Sequence, residues 1–300
     1  MNAATGGAGA MGAGVLRAEA AATRFGLSRH PPPDDLAPFV DFFWVVRWDL
    51  RGQPPYEQAI LPHPNVNLAF EAAGAAVYGV DRKIFIRRLA GKDKALGVRF
   101  RPGGFRPFCS APISTLNDLV VPAAQIFGPA ADRAREVVMA AASDDAMIAG
   151  AVDLLRGASP RPDPVAEQVA GLVGRITSDP ALRRVADLAD VAGMSERRLQ
   201  RLFAEYVGVP PKWVMRRARL HEAALHADAG AVVDWAALAA DLGYADQAHL
   251  TRDFTGTLGV PPSRYACRGV TPSGASEASG PRRPGLAADR GQGDSNSCEV

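Results

Sequence analysis

LQRLFAEYVGVPP (199–211) returns as LTRDFTGTLGVPP (250–262), with seven of thirteen positions identical at an offset of 51 residues. The shared pattern is L-x-R-x-F-x-x-x-x-G-V-P-P, and its spacing is helical. Leu199, Leu202 and Phe203 fall at i, i+3 and i+4 and make one apolar stripe. Arg201 lies roughly 200° around the helix from Leu199, on the outer face, with Arg197 and Arg198 close by. Gly208 is expected to end the helix, and Pro210-Pro211 to stop it and open the next one.

Working upstream, LADVAGMS (188–195) gives a short amphipathic segment, a turn glycine at Gly193 and a helix cap at Ser195. A small residue at 189, a glycine at 193 and a buried leucine at 199 have the spacing of a helix-turn-helix, whose second helix enters a DNA major groove. The second copy reads LAADLGYAD (238–246), with Gly243 as the turn residue and Asp246 as the cap. Its upstream part matches at an offset of 50 and its downstream part at 51, so one residue is inserted in the turn. Leu250 and Phe254 should be buried and Gln247, His249 and Arg252 exposed. Between the copies PKWVMRRARLHEAALHADA (211–229) reads as a linker helix, with Trp213, Leu220, Ala224 and Leu225 expected against the two units. Two such units on one spacer reach successive major grooves about 34 Å apart.

Charge is unevenly shared. Residues 182–219 carry nine Lys/Arg against four Asp/Glu, a net of +5, and residues 220–268 carry three against six, a net of −3. The first unit and the linker helix are therefore expected to supply most of the phosphate affinity.

The segment 182–266 resembles the DNA-binding domain of AraC/XylS-type bacterial transcription regulators, on the residues LADVAGMSERRLQRLFAEYVGVPPKW and LAADLGYADQAHLTRDFTGTLGVPPSRY. The resemblance implies base-facing positions at Arg197, Gln200 and Arg201 in the first recognition helix, and at Gln247, Ala248, His249 and Arg252 in the second. Ser195 and Arg198 join this DNA-binding set. The chemistry agrees, because arginine pairs bidentately with guanine and glutamine with adenine. Ala248 offers only a methyl contact, and Asp246 repels phosphate if it leaves the cap. The resemblance also implies a promoter or operator as partner, together with RNA polymerase, a small-molecule effector and a second copy of the chain, and activation rather than repression.

The remaining sequence is read as the sensing part. Short strands with turn punctuation run from about 25 to 125: FFWVVRW (42–48), NLAF (67–70), AVYGV (76–80), KIFIRRL (83–89) and ALGVRF (95–100). They predict a β-barrel or sandwich. Phe42, Trp44, Val46 and Trp48 share a face, expected to fill the barrel core, with a pocket lining as the alternative. Two helices are predicted within 129–156 and another around 165–176. The whole is multidomain: a disordered start (1–22), a β-rich sensing domain with C-terminal helices (23–156), a linker and lead-in helix (157–180), an all-α double helix-turn-helix domain (181–268) and a disordered tail (269–300).

Other chemistry is sparse. Cys109, Cys267 and Cys298 form neither a disulfide framework nor a C-x-x-C pair, and they are read as structural. RPGGF (101–105) is read as a tight hairpin turn in preference to an anion cradle with Arg101 or Arg106. His63 and Asn65 are read as loop residues, with no metal-ligand spacing around His63. No catalytic residue, metal or cofactor is expected. With no signal peptide pattern and no apolar run long enough to span a bilayer, a cytoplasmic protein is expected. Two other classes stay open: a cupin-like enzyme with auxiliary helices, and a helical protein-interaction module.

Overall fold

The structure, a computed structural model, describes residues 16, 21–179, 181–228 and 233–267. The predicted tail and most of the predicted disordered start lie outside the described residues. The chain begins with strands: β1 (Phe25–His30), β2 (Val40–Leu50), β3 (Tyr56–Ile60), β4 (Asn67–Glu71), β5 (Gly74–Tyr78), β6 (Phe85–Leu89), β7 (Gly91–Phe100) and β8 (Val120–Pro122). Six of them form one antiparallel sheet in the order β1-β2-β7-β4-β5-β8, and β3 pairs with β6 in a second.

Period-2 alternation gives β2 two different faces. Phe43 and Val45 are buried in a core shared with the helices α1 (Ala124–Phe127), α2 (Ala130–Ala140) and α3 (Asp144–Gly157). Phe42, Trp44, Val46 and Trp48 point to the opposite side. There they line a cavity of about 220 Å³ instead of filling a barrel core. The inward positions of the facing strands explain the difference. Gln58 and Arg87 stand there and are tied to partners of their own: the Gln58 amide donates to Leu16 O at 2.9 Å, and Arg87 to Glu71 at 2.6 Å. Side chains held in this way do not close the space.

Past Asp163, whose carboxylate accepts from Val165 N at 2.8 Å as an N-cap, the chain is helical: α4 (Pro164–Ser178), α5 (Val185–Val191), α6 (Glu196–Tyr206), α7 (Pro211–Asp228), α8 (Trp235–Asp241), α9 (Gln247–Leu258) and α10 (Pro262–Cys267). The duplicated motif builds two separate cores. Leu199 and Phe203 sit in one with α4, α5 and the start of α7. Leu250 and Phe254, their counterparts, sit in the other with α8, α10 and the later turns of α7. Each core also takes residues of the β-rich part, Val80 in the first and Leu61 in the second.

One expected contact of α7 is absent. Leu225 is 43% exposed. It shares an azimuth with Val214 but stands eleven residues on, about 16 Å along the axis, past the end of the first unit.

RPGGF is a turn, but not a hairpin. It leads from β7 into a single 3-10 turn at Arg106–Phe108, with no paired strand following. Its glycines answer close approaches: Gly103 has φ +81°, and a Cβ on Gly104 would lie 2.2 Å from Phe39 O.

Candidate DNA-binding face and ligand cavity

Both helix-turn-helix units close in the same way. In the first, Gly193 (φ +62°) lets Met194 N donate back to Ala189 O at 3.1 Å. In the second, Gly243 (φ +73°) lets Tyr244 N donate to Ala239 O at 2.8 Å. The inserted residue is thus Ala245, standing between that bond and the cap. Ser195 accepts from Arg198 N at 3.4 Å and Asp246 from His249 N at 2.7 Å. Asp246 is therefore engaged as a cap, its charge placed at the positive end of α9.

Ser195, Arg197, Arg198, Gln200 and Arg201 are all exposed along α6, and Gln247, Ala248, His249 and Arg252 along α9. Among the described residues Arg197, Arg198, Arg201 and Arg252 make no ion pair. The His249 ring stands edge-on to Tyr244 at 5.1 Å, which leaves its imidazole held near the turn.

The linker helix differs from the expectation of a phosphate-binding face. Arg216 Nε pairs with Asp253 Oδ2 of α9 at 2.8 Å. Arg217 is 5% exposed. Arg219 Nη2 donates to Arg183 O at 2.7 Å, and its guanidinium lies 5.9 Å from the Tyr244 ring centroid. Arg216 and Arg219 fasten the two units together and Arg217 is buried against the β-rich part, so only part of the +5 faces solvent.

The β-rich part and the linker residue Asp163 grip α6 at its far end, clear of Arg197 and Arg201. Arg106 pairs with Glu205 at 2.7 Å, Tyr206 Oη donates to Asp163 at 2.8 Å, and Asn117 Nδ2 donates to Gly208 O at 2.6 Å. Arg106 also donates to Cys109 O, and Arg101 to Ala37 O at 3.3 Å. Both arginines are thus turned toward protein partners. Cys109 is a half-buried free thiol.

The cavity lies between the inner face of the large sheet and the β3–β6 pair. Aromatic and aliphatic side chains of β1, β2, β3 and β6 make most of its wall. One end is polar, formed by Arg29, Arg99, His63 and Asn65. Asn65 donates to Phe100 O at 2.6 Å and accepts from Arg99 Nη2 at 3.0 Å. Burial draws the Arg99 guanidinium down to about 10 against the pull of Asp41, and it remains charged at neutral pH. His63 and Asn65 do sit in a loop, between β3 and β4, yet Asn65 is buried and the His63 Nε2 atom is inaccessible. The sequence signal for this was faint: LPHPN places two polar side chains among prolines directly before a buried strand.

Among the described residues no group of three or more His, Cys, Asp and Glu side chains is arranged to hold a metal, and no helix is long and apolar enough to cross a membrane.

Residues 188–268 match the family of helix-turn-helix domains (HTH_18), and residues 28–122 match a family described as a domain of unknown function (DUF6597). The chain is thus a DNA-binding transcriptional regulator in class. Its helix-turn-helix domain is of the AraC type. No curated protein matches the chain. Among solved structures, an apo variant of ToxT from Vibrio cholerae aligns at 13% identity and a TM-score of 0.36, over 79% of this chain and 98% of that one. ToxT bound to an unsaturated fatty acid aligns at 12% identity and a TM-score of 0.35, over 81% and 91%.

Proposed function

We propose that the chain is a one-component, sequence-specific regulator. In this reading α6 and α9 read successive major grooves, and the β-rich part senses a small molecule in its cavity. The observation that carries it is the exposed row Arg197, Gln200 and Arg201 on α6, a helix capped by Ser195 and anchored by the buried Leu199 and Phe203. In the second unit Gln247, Ala248, His249 and Arg252 form the corresponding row, with Arg252 as its cation. Ser195 and Arg198 flank the first row at the N-terminal end of α6, where backbone N–H groups favour phosphate. The reading divides the chain into a β-rich sensing part at 23–156 and a DNA-binding part at 181–268. Activation, contact with RNA polymerase and self-association belong to this reading through the AraC-type domain.

The experiment is a fluorescence-anisotropy titration of the full chain with DNA from upstream of its own gene, against scrambled competitor at several salt concentrations. Saturable, competitor-resistant binding with a steep salt slope is expected. Binding no tighter than that of scrambled DNA, by the full chain and by residues 175–268 alone, would sink the reading and favour the interaction module.

A further inference from the structure

The loop between β3 and β4 is pressed against the linker helix α7. Leu61 shares a core with Leu220, Ala223 and Ala224, and Pro62 O accepts from Arg217 Nε. Next to them the His63 ring meets the His221 ring edge to face. His63 Nε2 and His221 Nδ1 are buried without a hydrogen-bond partner, as are Nη1 and Nη2 of Arg217. The charges that act on the two rings come from three elements: Arg29 of β1, Arg99 of β7 and Arg217, one turn from His221 on α7. All three are cations. Asp41 of β2 pairs with Arg99, Oδ2 standing 3.4 Å from Nε. A neutral imidazole fits such a site. A protonated one brings a further positive charge and an N–H without an acceptor, because a guanidinium offers donors only. Burial first, and the guanidiniums second, hold both rings below the usual imidazole range.

We propose that this contact is a proton-operated latch: it is closed while His63 and His221 are neutral, and acidification opens it by charging them, freeing α7 from the β-rich part. A second contact between the parts, Arg106–Glu205 with Asn117–Gly208, contains no histidine and keeps the first unit in place as the latch opens. Opening therefore lets the second unit leave the β-rich part, whose Leu61 is otherwise buried in that unit's core. A histidine released to solvent titrates at about 6.5. Between about pH 7.5 and 5.5 each one thus raises the open population about tenfold, and the two together about a hundredfold. The latch does not depend on what the units bind. Only its link to DNA rests on the regulator reading above.

The test is hydrogen exchange of the full chain at these two pH values, read by mass spectrometry and divided by the free-peptide rate at each. The amides to follow are those of Leu61, His63, Asn65 and Val66, which lie in neither helix nor strand, with residues 113–117 and 207–209 as the control contact. Loop protection should fall about a hundredfold in the wild type, about tenfold in His63→Gln and in His221→Gln, and less than about twofold in the double variant, while the control holds. A wild-type fall under about tenfold overturns the latch, even where the variants fail to fold. An equal fall across β2 and β7, which marks acid unfolding of the whole, overturns it too, as does an undiminished fall in a folded double variant. Promoter affinity should shift several-fold more with pH in the wild type than in the double variant. An equal shift overturns the link to DNA binding, whereas failure of both to bind DNA strikes the regulator reading and not the latch.

Discussion

The His63 and His221 rings meet edge to face with centroids 5.5 Å apart, one from the loop before β4 and the other from the linker helix α7. Both carry depressed proton affinity. Burial, followed by the nearby guanidiniums, pushes His221 to about 4 and holds His63 well below the usual imidazole range. Such histidines are neutral when folded and take up protons when unfolded. Stability is therefore complete above about pH 6.5 and is lost as pH falls toward the folded value.

Thermal unfolding of the apo chain should register this between pH 7 and 5, a window above the ordinary carboxylate range. His221 alone should cost about 2 kcal/mol at pH 5. His221→Gln should flatten the profile over that interval. A profile as steep in the variant as in the wild type would show that the titration resides elsewhere.

The sequence made the repeat legible because helical spacing, turn glycines and caps are local. Leu199, Gly193 and Ser195 each do what their neighbours require. The histidine contact was not legible, since it joins residues 158 positions apart in two domains. The cavity was hidden for a related reason. Alternation placed Trp44 and Val46 on one face, but only the tertiary placement of Gln58 and Arg87 decides whether that face is filled. The strands β1 and β3 escaped notice because Arg29 and Gln58 occupy inward positions where an apolar residue marks an ordinary strand.

Trp44 lies across Gly97, its partner in the β2–β7 ladder. A Cβ at Gly97 would fall 1.9 Å from Trp44 Cε2, so Gly97→Ala must push the indole off the sheet and into the cavity. Overpacking of this kind costs about 1–3 kcal/mol. The melting temperature should fall accordingly while ligand-free DNA affinity stays within twofold. An unchanged melting temperature would mean that the indole moves into the cavity without cost.

On the DNA face, Arg197→Ala and Arg201→Ala should each weaken the best promoter fragment by about 1–3 kcal/mol and relax sequence preference. Arg252→Ala should cost less, because the second unit carries net negative charge. The salt slope separates the roles: losing a phosphate contact lowers it by about one, whereas losing a base contact mainly erodes discrimination. Wild-type affinity in both α6 variants would remove that helix from the groove.

Arg217 should behave as a charge that costs stability where it is buried. Burying an ion costs several kcal/mol of desolvation, which an apolar side chain of similar size does not incur. The single bond to Pro62 O offsets part of that cost. Arg217→Met should therefore raise the apo melting temperature by a few degrees, about 2–4 °C per kcal/mol in a domain of 150–250 residues. A lower melting temperature would assign Arg217 a structural role at its contact with Pro62.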